Sequence, residues 1–258
     1  MNDVDLSAGV SGRTEQNGAT DHVALLRTAT GESSTRIENW VRSARARGDH
    51  VVTVAVPDGF TPGTEGLPVL APVELHPDGR PAEVVRRALD AGHGGLGVLV
   101  HADAVIAAMS ATVHTEIEDV LAALCRDHPV SVLCVYDRDG AGRDHLDMAA
   151  ARHPDRILET QADLRRTGQT MWLHGEFDTT NNDVLGAALR SAAREAPAAL
   201  SINVSGVGFL SVAAARTLAL NGAEYGQHGG RVELRGAPTH VQNVLRLFLR
   251  QDGEPHGH

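Results

Sequence analysis

Short runs rich in Val, Ile and Leu alternate along this chain with amphipathic segments of helical length, and this alternation is the feature that most constrains the fold. Two examples of such runs are "GLGVLVH" (95–101) and "VSVLCVYD" (130–137). Strands that alternate with helices form βαβ units and a mostly parallel sheet. Because aromatic residues make up only 3% of the chain, its core is built from aliphatic side chains, as in parallel sheets covered by helices. We therefore predict an α/β fold.

The pattern divides the chain into two α/β units. We predict a first unit over 22–160 and a second unit over 169–250, joined by a polar linker, "QADLRRTG", at 161–168. By composition, we expect residues 1–21 and 251–258 to be disordered.

The charged residues exclude several functions. The formal net charge is −10, which argues against binding to the phosphates of nucleic acids. The chain contains no lysine, so it lacks a P-loop lysine and a lysine that forms a Schiff base. Its only cysteines, Cys125 and Cys134, lie in apolar surroundings, as is usual for buried thiols in a reducing compartment. With neither a secretory signal nor an apolar run of bilayer length, we expect a cytoplasmic protein without a membrane partner.

Three motifs of the second unit occur together in a known family. They are "LHGEFD" (173–178), "INVSGVGFLS" (202–211) and "HGGRVELRGAPTHVQNVLRL" (228–247). In this order and spacing they resemble STAS domains, which include the anti-sigma factor antagonists and cytoplasmic modules of anion transporters. The resemblance implies an α/β domain that docks a protein partner.

The first unit is similar to the MEDS sensory domain, a relative of RecA-like and KaiC-like folds. The resemblance rests on "HVALLRT" (22–28), "VSVLCVYDRDG" (130–140) and "HPDRIL" (153–158). It implies a mostly parallel RecA/KaiC-like sheet with flanking helices that senses a small molecule. Since the chain has neither a P-loop nor a lysine, we expect no ATPase activity from this relationship.

The switch position of the anti-sigma factor antagonists is altered in this chain. In that family a kinase phosphorylates a hydroxyl residue in the first turn of the second STAS helix. Ser211 occupies the family's aspartate column, Val212 the first serine column and Ala213 the phosphoacceptor column. Ala213 carries no hydroxyl, so phosphorylation at the usual position is excluded. We expect Ser211 to cap the helix, and a role for it as an alternative phosphoacceptor stays open.

By resemblance, the surface around this helix start docks an anti-sigma factor or a serine kinase-like protein. The predicted partner-binding residues are Ser205, Gly206, Gly208, Ser211, Val212, Ala213 and Arg216.

A second candidate site lies in the first unit, because ligands of open parallel sheets bind beyond the carboxyl ends of strands. The predicted pocket residues there are Asp103, Tyr136, Asp137 and Asp139. Acidic residues that follow a strand also serve as simple caps, and this alternative stays open. The histidines show no His-x-x-x-His pair and no His/Cys spacing typical of zinc, so we expect scattered histidines, no bound metal and no cofactor.

Together these observations predict a non-enzymatic cytoplasmic regulator in which a sensory domain controls partner docking by an STAS domain. No nucleophile with an identifiable base supports catalysis. The alternative is a small-molecule sensor whose STAS domain serves only for oligomerisation, including a homodimer. A third hypothesis, a cryptic nucleotide-binding enzyme, has the least support in the sequence.

Overall fold

The computed structural model describes residues 21–28, 32–55, 64–139, 142–195 and 198–249. The predicted disorder at 1–21 and 251–258 falls outside these residues, apart from Asp21.

Residues 22–159, which we call the first half, alternate strands and helices, as the sequence predicts. Its strands are β1 His22–Arg27, β2 Asp49–Val54, β3 Val69–Leu70, β4 Gly95–His101, β5 Val130–Asp137 and β6 Arg156–Glu159. Its helices are α1 Glu32–Ala46, α2 Pro81–Asp90, α3 Ala102–Ala108, α4 Ala111–Asp127 and α5 Arg143–Arg152. Two short 3₁₀ turns, Pro72–Leu75 and Pro77–Gly79, precede α2.

Residues 162–249, which we call the second half although they are about a third of the chain, contain four strands and three helices among the described residues. The strands are β7 Ala162–Thr167, β8 Thr170–Phe177, β9 Ala199–Leu210 and β10 Arg231–Arg235. The helices are α6 Asn182–Glu195, α7 Val212–Gln227 and α8 Thr239–Leu249.

All ten of these strands form one sheet, in the order β10-β9-β8-β7-β6-β1-β5-β4-β2-β3. β7 is antiparallel to both of its neighbours, and the other pairs are parallel. The α/β prediction and the mostly parallel sheet of the first half are confirmed. In β1, Val23 and Leu25 pack against α1 on one face, whereas Ala24 and Leu26 join the larger core on the other. This is the two-residue period of a strand that is buried on both faces.

The predicted linker is wrong, because its residues form strand β7. In β7, Leu164 pairs with Ile157 of β6 and with Leu173 of β8. Its buried and half-buried residues alternate, which is the pattern of a strand covered on one face. Its arginines and aspartate concealed that period in the sequence. As a result, one continuous sheet runs through both halves of the chain.

Helices α5 and α6 also join the two halves. The buried Ser191 hydroxyl of α6 donates a hydrogen bond of 2.9 Å to the Ala150 carbonyl of α5. Nearby, Arg190 donates to the Asp147 carboxylate at 2.6 Å. These contacts connect the halves through the helical layer as well. Among the described residues, the helices are too short or too polar to span a bilayer.

Candidate functional site

The start of helix α7 is fixed by Ser211. The Ser211 hydroxyl accepts a hydrogen bond of 3.1 Å from the Ala214 amide, one turn into the helix. Its own backbone amide donates to the Phe177 carbonyl at the end of β8, at 2.8 Å. Ser211 is therefore the N-cap of α7, as its position in the sequence predicts.

Two glycines of the STAS-like motifs lie where the strands pack closely. Gly175 has a φ of +95°, and a Cβ there would meet the Gln161 carbonyl oxygen at 2.1 Å. At Gly206, a Cβ would meet Nδ1 of the His174 ring at 2.1 Å. Both lie where the pairing of β8 with β9 shifts register. The motif thus shapes the strand ends that lead to α7.

The seven predicted partner-binding residues lie together at the end of β9 and along the first turns of α7. Four of them are exposed, namely Ser205, Gly208, Val212 and Arg216. The other three, Gly206, Ser211 and Ala213, are half-buried. The Ala213 side chain is thus partly accessible, and it places a methyl group where the family resemblance expects a phosphorylated hydroxyl.

An exposed apolar row extends this surface beyond the predicted residues. Val212 and Leu220 are each 57% exposed, and with Arg216 between them they lie at intervals of four residues on one helix face. Phe209, just before the helix, is 49% exposed. We call Phe209, Val212, Arg216 and Leu220 the α7 row. Sequence reasoning missed Phe209 and Leu220, since in periodic patterns both read as core positions.

At the carboxyl ends of the parallel strands, the structure brings together part of the predicted pocket. The Asp103 carboxylate accepts a hydrogen bond of 2.6 Å from the Asp137 amide, and the Asp137 carboxylate pairs with Arg27 at 2.9 Å. The exposed Asp139 follows in the turn after β5. Tyr136, however, is fully buried, and its hydroxyl donates to the Glu118 carboxylate at 3.0 Å. Asp103 and Asp137 are thus in direct contact, whereas Tyr136 donates to Glu118 in the interior. That Asp103, Tyr136, Asp137 and Asp139 form a ligand pocket stays a prediction.

Charge and burial both act on this edge. The hydrogen bond from Arg27 holds the pKa of the Asp137 carboxyl below its usual value, despite partial burial. Burial lowers the pKa of the neighbouring His101 to about 4, and the positive charge of Arg27 adds to this effect. At neutral pH the edge therefore carries an ion pair beside an uncharged imidazole.

A second group of polar residues lies inside the first half, around the fully buried carboxylate of Glu118. Its neighbours are His22, His114, Cys134, Tyr136 and His153, at distances from 2.8 to 3.6 Å. Burial alone would raise the pKa of Glu118. The charge of His153 and the contacts with His114 and His22 outweigh it and keep that pKa well below its usual value.

The prediction of scattered histidines is therefore wrong for His22, His114 and His153. These residues are far apart in the sequence, and only the fold brings them together. One signal was present in α4. Its buried face comprises His114, Ile117, Glu118 and Leu121, so that a glutamate stands in an apolar stripe. A carboxylate at such a position needs polar partners from other elements.

With this geometry in place, comparison with known families identifies the second half. Residues 161–249 match the family model described as "Mlab, STAS domain". The STAS resemblance is confirmed for this part, which is roughly a third of the chain and begins one residue before β7. No curated protein matches the chain with significance. The resemblance of the preceding residues to a MEDS domain stays a prediction.

Proposed function

We propose that this protein is a non-enzymatic signalling regulator whose STAS domain docks an anti-sigma factor or a serine kinase-like protein. The observation that carries the proposal is the α7 row. It presents Phe209, Val212 and Leu220 to solvent at the helix that the family resemblance assigns to partner docking. Burial of such side chains in an interface contributes about 25 cal/mol per Å² of apolar surface. Arg216 in the same row adds a charge that selects an acidic counterpart.

We infer that docking by this surface does not depend on phosphorylation at position 213, the family's usual phosphoacceptor position. A phosphate adds a charge of roughly −1.5 to −2 at a helix N-terminus and thereby changes which partner binds. Ala213 has no oxygen to accept it, and the Ser211 hydroxyl is already used as the helix cap. We infer that the default state of this STAS domain is competent to dock.

Partner docking would then be controlled by the first half, which shares one sheet with the STAS domain. The buried Glu159 of β6 accepts hydrogen bonds from the Arg138 side chain at 3.3 Å and from Asn181, which precedes α6, at 3.4 Å. Arg138 also pairs with Asp183 of α6. A ligand that binds near Asp137 would thus lie beside a residue, Arg138, whose contacts reach the STAS domain. A ligand shifts such an equilibrium only by its differential affinity for the two states.

The proposed ligand is a small molecule held by a MEDS-like sensory domain at the edge formed by Asp103, Asp137 and Arg27. The proposed compartment is the cytoplasm, which the two free, buried cysteines favour. In the alternative function, the α7 row serves only for self-association, and the same experiment separates the two.

The test uses a matched pair of valines. Val212 in the α7 row is 57% exposed, and Val73 in the first half is 55% exposed. Wild-type protein, Val212→Asp and Val73→Asp are used to capture partners from lysate of the source cells, and the bound proteins are quantified by mass spectrometry. We expect wild type and Val73→Asp to capture a protein with an anti-sigma factor or serine kinase domain, and Val212→Asp to lose it. Equal capture by all three, or capture of this chain alone, would contradict the proposal.

A further inference from the structure

We propose that His22, Cys134, His153 and one oxygen of Glu118 form a site for a single Zn²⁺ ion, an inference that goes beyond the proposed function. Each residue offers one ligand atom, and these four atoms all lie within 4.8 Å of one another. They come from β1, β5, the segment after α5, and α4.

Three of four distances between the ligand atoms match those of a tetrahedral zinc site. Zn–N and Zn–O bonds of about 2.0–2.1 Å and a Zn–S bond of about 2.3 Å place nitrogen and oxygen ligands about 3.3 Å apart and sulfur about 3.6 Å from either. Cys134 Sγ lies 3.6 Å from His22 Nε2 and 3.6 Å from Glu118 Oε2. His153 Nε2 lies 3.3 Å from the same oxygen. Of these four distances, only that between His22 and Glu118, 2.8 Å, has to open, and the two remaining pairs, His22–His153 and Cys134–His153, lie within 4.8 Å.

The orientation of His153 points to a ligand in the cluster. Its Nδ1 lies 2.9 Å from the Ala149 carbonyl oxygen, which only accepts hydrogen bonds, so Nδ1 carries the proton. Nε2 lies 3.3 Å from Glu118 Oε2: when Nε2 carries a proton, the charged ring pairs with the carboxylate, and when that proton is lost, Nε2 offers a lone pair to a metal ion. The residue is fully buried, and among the described residues no hydrogen bond of good geometry satisfies this nitrogen. A metal-bound histidine typically donates its other N–H to a backbone carbonyl in this way.

The two oxygens of Glu118 have separate surroundings. Oε1 accepts a hydrogen bond of 3.0 Å from the Tyr136 hydroxyl and lies 3.0 Å from His114 Nε2. Oε2 faces His22, Cys134 and His153. Tyr136 and His114 thus orient the carboxylate from behind, while Oε2 is turned towards the other ligand atoms. Such outer contacts are usual around metal-binding carboxylates.

Charge and donor type favour zinc. Burial raises the pKa of the Cys134 thiol, so without a cation it stays protonated. Binding of Zn²⁺ would displace that proton to solvent, and the two positive charges would be balanced by the thiolate and the Glu118 carboxylate. Thiolate, imidazole and carboxylate ligands together suit zinc, and four protein ligands make a closed, structural type of site. A cavity of about 440 Å³ is lined by His22 and Glu118 and offers a route of entry.

The experiment uses the full-length protein, stripped with a chelator and titrated with Co²⁺ as a spectroscopic substitute and with Zn²⁺ against a competing dye. We expect one ion per chain, a tetrahedral cobalt spectrum with a thiolate charge-transfer band, and a zinc dissociation constant below about 0.1 µM. Cys134→Ser is expected to lose the charge-transfer band. Cys125→Ser, which removes the other buried cysteine, is the matched control and keeps it.

Further variants separate this site from other sources of metal binding. Tyr136→Phe keeps the ligands and should weaken zinc binding about 10–100-fold, since it removes an orienting contact. A variant with His256→Ala and His258→Ala tests the terminal histidines and should bind as wild type does. Absence of tight binding, or a cobalt spectrum that survives Cys134→Ser, would overturn the proposal. In that case the cluster would be a proton-linked network around Glu118.

Discussion

Ser211 allows a quantitative test of how the docking helix is built. Its hydroxyl accepts from the Ala214 amide at 3.1 Å, and loss of a serine N-cap to alanine typically costs about 1 kcal/mol. For a chain of this size, 1 kcal/mol corresponds to roughly 2–4 °C in the melting temperature. Ser211→Ala should therefore lower the free energy of unfolding by about that amount.

Two further substitutions distinguish capping from other roles of the hydroxyl. Ser211→Asp keeps a cap acceptor and adds a negative charge that the helix dipole favours, so it should be close to wild type. Ser211→Gly should cost only a few tenths of a kcal/mol. Ser205→Ala, which alters an exposed serine of β9, is the control.

The assay is urea unfolding followed by fluorescence and circular dichroism. Ser211 would not act as a stabilising cap if Ser211→Ala were as stable as wild type, or if Ser211→Asp were destabilised as much as Ser211→Ala. A phosphate found on Ser211 in protein isolated from its own cells would show that the hydroxyl has a further role, and docking would then be switched after all.

Three other predictions follow from the packing. Gly175→Ala should destabilise the protein by more than the roughly 1–2 kcal/mol that a left-handed backbone conformation costs, because the new Cβ would also meet a backbone carbonyl at 2.1 Å. Gly168 has a φ of +58° and open space around it, so Gly168→Ala measures the conformational cost alone in the same denaturation assay. In the folded protein the pKa of His101 is lowered from 6.5 to about 4. Because the unfolded chain then takes up the proton more readily, the free energy of unfolding is highest above pH 6.5 and decreases by roughly 3 kcal/mol as the pH falls towards 4. In His101→Asn, unfolding curves measured between these pH values should show a smaller slope. The chain's two tryptophans, Trp40 in α1 and Trp172 in β8, should report the same unfolding midpoint in single-tryptophan variants, since both halves share one sheet; two separate midpoints would contradict this.

The order of strands and helices was predictable because their periods are local. Strands such as β4 and β5 are buried on both faces and appear as unbroken apolar runs. β7 was missed because one of its faces carries Asp163 and Arg165, so it resembles a polar connection. Only its pairing with β6 and β8 makes it a strand.

The proposed docking surface and the cluster around Glu118 differ in how well they can be predicted from the sequence. The proposed docking surface is continuous in the chain from Ser205 to Arg216, so motif spacing alone is sufficient to propose it. The cluster around Glu118 joins residues from β1, α4, β5 and the segment after α5, and His22 is more than 100 positions from its partner Cys134. No local spacing indicates such a site, and the polar residue within an apolar helical stripe was its one trace.

If the STAS domain docks a partner as proposed, the start of α7 contacts a foreign protein in the cell. The most direct measurement places a photo-crosslinking amino acid at position 213, with position 73 as the control, and identifies the crosslinked products from living source cells by mass spectrometry. We expect a crosslink from position 213, and not from position 73, to an anti-sigma factor or a serine kinase-like protein. Crosslinks from position 213 only to a second copy of this chain would contradict the account and assign this surface to self-assembly.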